Sequence, residues 1–98
     1  MVEQGDLISF EGVKFPAIVV SNNRYNASGK AIVCPVVFEN PGISLQEQVE
    51  YNNKICYVCC DAPKWLDIGF RGPIVKGHVN LAKQMQIIDK IQSIFDYI

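Results

Sequence analysis

Phe15-Pro16-Ala17-Ile18-Val19-Val20-Ser21 is the stretch on which the fold reading rests. It is a continuous apolar run rich in β-branched residues, and Ser21-Asn22-Asn23 closes it. A run of that length between turn formers reads as a strand buried on both faces. Pro16 stands near its start, where a missing backbone donor costs the ladder least. A strand covered on both sides needs neighbours in its sheet and a layer on each face, so the rest of the chain should supply them.

Upstream, Gly5-Asp6 leads into Leu7-Ile8-Ser9-Phe10, a short first strand, and Glu11-Gly12-Val13-Lys14 is the tight connection between the two. Downstream, Asn22 to Gly29 is a polar loop rich in residues that tolerate positive φ. Lys30 to Phe38 is a third apolar strand whose Pro35 predicts a bulge or an edge position. After the breaker cluster Glu39-Asn40-Pro41-Gly42, Gln46–Tyr51 and Lys54–Cys60 flank Asn52-Asn53 and read as a hairpin. Asp61-Ala62-Pro63 turns the chain into a short strand over Lys64–Ile68, and Phe70-Arg71-Gly72-Pro73 and Lys76-Gly77 punctuate the approach to Val79. Asn80 is placed as a helix N-cap. Beyond it Leu81, Met85, Ile88, Ile91, Phe95 and Ile98 recur at steps of three and four, widened by Ile87 and Ile94. This predicts an amphipathic helix whose apolar stripe packs on a sheet. Strands first and one closing helix predict a mainly β domain over residues 1–98, a small barrel with a C-terminal helix.

Composition narrows the function classes. At 98 residues the chain is one domain, and 49% apolar with 19% charged residues describes an ordinary globular protein. No apolar run approaches a membrane span and the first residues do not open a signal peptide, so a cytoplasmic protein without membrane contact is expected. A net charge of −1 lacks the excess that drives non-specific nucleic-acid binding, so such a role needs a local basic patch or a second copy of the chain. Cys56 and Cys59 have CxxC spacing, but an odd separation on a strand sends them to opposite faces. With His78 the only histidine and no second CxxC, no metal or other cofactor is expected, and Cys34, Cys56, Cys59 and Cys60 read as buried free thiols.

Asp61 and Asp67 flank Lys64, and Arg71, Lys76 and His78 follow closely. A carboxylate among cations can take a proton from a ribose hydroxyl while the cations hold a phosphate, although solvated turns carry the same residues. Tyr25, Trp65 and Phe70 have the rings that base stacking needs, or that packing needs.

The order of these segments resembles the MazF/PemK/Kid toxin family. Gly5-Asp6-Leu7-Ile8 and Phe15-Pro16-Ala17-Ile18-Val19-Val20-Ser21-Asn22 look like its opening, and Asn26–Gly29 with Ala31–Val36 is similar to its next loop and strand. Val58–Asp67 resembles the segment around its aspartate, and Phe70-Arg71-Gly72 and Lys76-Gly77-His78-Val79 resemble the steps before its last helix. The resemblance implies an SH3-like β-barrel of the MazF/CcdB type that forms a homodimer, binds an antitoxin protein and cuts single-stranded mRNA without a metal. It implies a catalytic Asp61 and, as the nearest cation to the family's arginine position, Lys14; Lys64, Arg71 and Lys76 would contact RNA. The chain departs from the pattern where that arginine is Phe15, where a strand-end hydroxyl is Val37, and where the Kid-like branch has a further arginine, here Cys59. Two alternatives follow: a relative that binds nucleic acid or antitoxin without cleaving, and a gyrase poison like CcdB, which works through a tryptophan-bearing tail that Phe95-Asp96-Tyr97-Ile98 lacks.

Overall fold

The structure, a computed structural model, describes residues 1–95. Seven strands and a C-terminal helix follow one another: β1 (Asp6–Ser9), β2 (Ala17–Val19), a helical turn α1 (Asn23–Asn26), β3 (Lys30–Val37), β4 (Gln46–Tyr51), β5 (Lys54–Cys59), β6 (Lys64–Asp67), a second turn α2 (Ile68–Arg71), β7 (Ile74–His78) and α3 (Leu81–Gln92), which ends in a 3-10 turn at Ser93–Phe95. The sheet runs β4-β5-β3-β2-β1-β7, with β6 paired to β3 off that path, and every pairing is antiparallel. The sheet curls into a half-barrel closed by α3, the mainly β architecture that the sequence predicted.

The stretch that decided the fold lies at the centre of this sheet. Ala17, Ile18 and Val19 are all buried, Ile18 in one apolar cluster and its two neighbours in the other. The first cluster joins Leu7, Ile18, Cys34, Val36, Val58 and Val79 to Ile87 of α3. The second gathers Ile8, Ala17, Val19, Ala31 and Val33 under Val2 and Ile68. The strand itself is shorter than the apolar run, because Phe15 lies outside it and is 39% exposed. Pro16 still contributes its carbonyl, which accepts from Val36 N–H at 3.0 Å.

Pro35 is neither at an edge nor at a recorded bulge. It lies between the β3 segment that pairs with β6 (Lys30 to Val33) and the one that pairs with β5 (Val36 and Val37), opposite Ala17 of β2. The missing donor thus falls where β3 changes partners. The hairpin forms as predicted: Asn52 and Asn53 have φ of 53° and 62°, the pair of left-handed residues that a two-residue turn requires.

Three elements were not legible: α1, β7 and α2, whose first residue Ile68 was expected to end the preceding strand. The polar loop after β2 contains α1, capped by Asn22 Oδ1, which accepts from Tyr25 N–H at 2.9 Å. The punctuation around Gly77 conceals β7, which pairs with β1 (Leu7↔Gly77).

The C-terminal helix starts where predicted, with Asn80 Oδ1 accepting from Lys83 N–H at 2.8 Å. Its docking face requires a correction. Ile87 is 1% exposed and is flanked by partly buried Ile88 and Ile91, whereas Leu81 (68%), Met85 (58%) and Phe95 (71%) face outward. The apolar stripe is wider than the groove that receives it, and Gln84 takes up part of the docked face. Its amide donates to Val79 C=O at 2.9 Å and lies where a side chain on Gly5 would stand, 2.4 Å away. Ile98 of the predicted stripe, and the tail that bears on the gyrase alternative, fall outside the described residues. Glu47 of β4 receives the ammonium groups of Lys83 (2.7 Å) and Lys90, which pins the helix across the hairpin. Burial would raise the Glu47 carboxyl, but hydrogen bonds from the two lysines outweigh it and hold the pKa below its ordinary value.

Candidate nucleic-acid interface

Two surface grooves meet at Phe15. The first, about 430 Å³, is lined by Lys14, Phe15, Val37, Phe38, Glu39, Asn40 and Pro41. The second, about 280 Å³, runs under the β1–β2 connection, and its polar side chains are Lys64 and Arg71. Antiparallel register explains the meeting. Ala17 opposes Pro35, so continuing the ladder outward brings Phe15 beside Val37 at the end of β3. Lys64 enters from β6, which pairs with the other end of β3, and Arg71 closes α2.

The site residues read from sequence are only partly brought together. Lys14 lies in the first groove, and its ammonium is 5.1 Å from the Phe15 ring centroid. Lys64 and Arg71 share the second, where the Arg71 guanidinium stands 6.0 Å from the Phe10 ring. Among the described residues no carboxylate lines this second groove, so its two cations are available to an anion. Asp61 is exposed in the turn after β5 and lines neither groove, and Lys76 projects from β7, outside both. The positions of resemblance, Phe15 and Val37, do share one groove, but neither offers a cation or a hydroxyl.

Other candidates have structural work. Asp67 Oδ1 accepts from Phe70 N–H at 3.1 Å and caps α2. His78 Nδ1 meets the buried Asp6 Oδ1 at 2.9 Å, while Asp6 Oδ2 accepts from Glu3 N–H at 2.8 Å. Carboxylate oxygens of Glu3 and Asp6 and a nitrogen of His78 come within 4.8 Å of one another. Each Asp6 oxygen already holds a partner from a different part of the chain, so the cluster reads as a clasp between the N-terminus and β7. Trp65 Nε1–H donates to Tyr25 Oη at 3.0 Å, which ties β6 to α1.

Cys56 and Cys60 face the core while Cys59 is half-buried on the other side of β5, the opposite-face geometry expected of that spacing. Burial, then the neighbouring Cys60, Cys59 and Asp61, pushes the Cys34 thiol up to about 12, and burial chiefly raises Cys60 to about 11. Such thiols are protonated and unreactive near neutral pH.

Sequence reasoning missed the aromatic side chains of this region. Phe38 at the end of β3 lies 5.3 Å from Phe15, ring centroid to ring centroid, and 6.4 Å from Tyr51 of β4. No local sequence signal marks them, because only the pairing of distant strands brings Phe38 and Tyr51 to this end of the sheet.

A mainly β half-barrel with a closing helix and this pair of grooves defines a fold class. It is the fold of the MazF toxins. A MazE–MazF structure from Deinococcus radiodurans superposes with a TM-score of 0.84 at 22% identity, covering 96% of this chain and 94% of that one. MazF from the same organism gives 0.82 at 20% identity, covering 96% of each. The toxin MazF-mt6 of Mycobacterium tuberculosis gives 0.75 at 16% identity, with 93% of this chain and 96% of that one covered. No family model matches the sequence, and no curated protein matches it. Among the described residues, no helix is long and apolar enough to cross a membrane.

Proposed function

We propose that the protein is a MazF-type toxin of a toxin–antitoxin pair, an endoribonuclease that acts on single-stranded mRNA in the cytoplasm. The observation that carries this reading is the groove lined by Lys64 and Arg71 without a carboxylate, set in a fold that matches MazF over nearly its whole length. In a chain of net charge −1, such a local patch is what a polyanion requires. The 2′-oxygen of the ribose bonds to phosphorus as the P–O5′ bond breaks, leaving a cyclic phosphate. Asp61 takes the 2′ proton, and the departing 5′-oxygen takes a proton from water. Lys14 neutralises the phosphoryl oxygens, while Lys64, Arg71 and Lys76 hold the flanking backbone. Asp61 and Lys14 line no common groove within one chain, so this chemistry calls for a homodimer whose two copies complete the site. The MazE–MazF structures with this fold support an antitoxin protein as the partner.

A second reading, binding without cleavage, is favoured by Phe15. A phenyl ring cannot neutralise a phosphate, and loss of such a donor costs roughly 10²–10³ in rate. Lys14 supplies a point charge without the guanidinium fork. One experiment decides between them. Purified protein is incubated with a long single-stranded RNA in EDTA, and the products are resolved on a denaturing gel. Cleavage that Asp61→Ala abolishes supports the enzyme. Bound but intact RNA supports the second reading, and RNA neither bound nor cut by folded dimer overturns both.

A further inference from the structure

We infer that Phe15 and Phe38, backed by Tyr51, form a base-stacking row, so that this chain grips single-stranded RNA by its nucleobases beside the basic groove. The inference rests on the RNA reading above and says which part of the RNA the first groove takes. Phe15 (39%) and Phe38 (42%) are large rings left partly open to solvent, although a sizeable core was available to cover them. Their planes are tilted by 49°, and Tyr51, which packs against the core and does not line the groove, backs Phe38 with its ring at 26°. Each ring belongs to a different part of the sheet: Phe15 stands before β2, Phe38 after β3, and Tyr51 ends β4. Pairing of β2 with β3 and the bond from Val36 N–H to the Pro16 carbonyl fix the Phe15 and Phe38 backbones. The platform is therefore ordered before any ligand arrives.

Charge places the two halves of a nucleotide. Glu39 lines the aromatic groove and repels a phosphate, whereas the adjoining groove has Lys64 and Arg71 and no carboxylate. Phe15 lines both, with Lys14 against its ring. A strand whose backbone follows the cations thus lays its bases on the rings, the combination that single-strand binders use. Asn40 adds a polar edge: its Oδ1 accepts from Gly42 N–H at 2.8 Å, and its NH₂ has no partner among the described residues. A peptide partner would gain less here, because the cations beside the rings favour a polyanion.

The test compares a single-stranded oligoribonucleotide with an abasic ribose-phosphate oligomer of equal length, by fluorescence anisotropy with the full chain. Wild type should bind the base-bearing strand at least 10-fold more tightly. Phe38→Ala should weaken that strand by roughly 5- to 100-fold and leave the abasic one unchanged. Phe38→Trp, which keeps a ring, should restore binding, whereas Phe38→Leu, which keeps the bulk, should not; circular dichroism confirms folding of each. Leu81→Ser, an exposed change on α3 away from the row, serves as the unaffected control. Equal affinity for both oligomers, or indifference to Phe38→Ala, overturns the stacking row while leaving the RNA reading intact. Failure to bind either oligomer overturns the RNA reading itself. If the Phe15→Ala and Phe38→Ala proteins keep their RNA affinity but change their sedimentation mass, the row is a protein contact and the inference falls.

Discussion

Truncating Ile87 tests how α3 closes the half-barrel. Its side chain is 1% exposed and lies in the cluster with Leu7, Ile18, Val36 and Val79. Ile87→Ala removes three carbons, about 2.4 kcal/mol at roughly 0.8 kcal/mol per buried methylene. The cavity left behind adds to this, since the sheet under the helix relaxes only partly, and a total of about 3–4 kcal/mol is expected. That is a large part of the roughly 5–15 kcal/mol that holds a domain of this size. Leu81→Ala and Met85→Ala, on the outward face, should each cost less than about 0.5 kcal/mol to the isolated chain. Urea denaturation followed by circular dichroism reads the difference as a midpoint shift of roughly 1–3 M for Ile87→Ala. Two protein concentrations separate any contribution from association, which would make the midpoint concentration-dependent. An Ile87→Ala protein within 1 kcal/mol of wild type, or a Leu81→Ala protein as unstable as it at both concentrations, would refute this docking of the helix.

The buried thiols predict an alkaline weakness. Cys34 titrates near 9.0 when unfolded and at about 12 when folded, so its contribution is fully present below pH 9 and declines as pH rises toward 12. Stability should fall by about 1.4 kcal/mol per thiol by pH 10, more shallowly in Cys34→Ala; denaturant melts at pH 8, 9 and 10 measure it, and a flat profile would contradict the burial. Asp6→Ala should cost about 2 kcal/mol, because Glu3 N–H and His78 both lose their acceptor. It should also speed hydrogen exchange at Glu3 and in β7, and exchange that stays unchanged there would speak against the clasp.

The run from Phe15 to Ser21 was informative because burial on both faces leaves an unbroken apolar pattern that few other structures produce. The hairpin and the start of the last helix were legible for a similar local reason, two asparagines at a two-residue turn and one at an N-cap. What stayed hidden depends on pairing across the sequence. Strand β7 pairs Gly77 with Leu7, some 70 residues earlier, and no local rule places a strand through Lys76-Gly77. The α3 stripe showed which residues are apolar but not which of them the sheet has room for. Among the candidate site residues, Lys64 and Arg71 were named as cations close to Asp61 in the sequence, and Lys14 only through the resemblance, as the cation nearest the arginine position. Phe38 and Tyr51 looked like ordinary strand residues until the sheet set Phe38 between Phe15 and Tyr51. Position 15 thus opens the sequence reading as a strand start and ends as the junction of two grooves.

The most direct measurement of the central claim is a map of where RNA touches the protein. Amide chemical shifts are recorded by NMR while a short single-stranded RNA is titrated in, using an Asp61→Ala chain so that the RNA stays intact. The largest changes are predicted at residues 14–17, at Phe38 to Asn40, and at Lys64 and Arg71, with α3 and the Asn52-Asn53 turn nearly silent. Changes confined to α3 or to that turn, or no changes at saturating RNA, would contradict the placement of RNA at the Phe15 grooves.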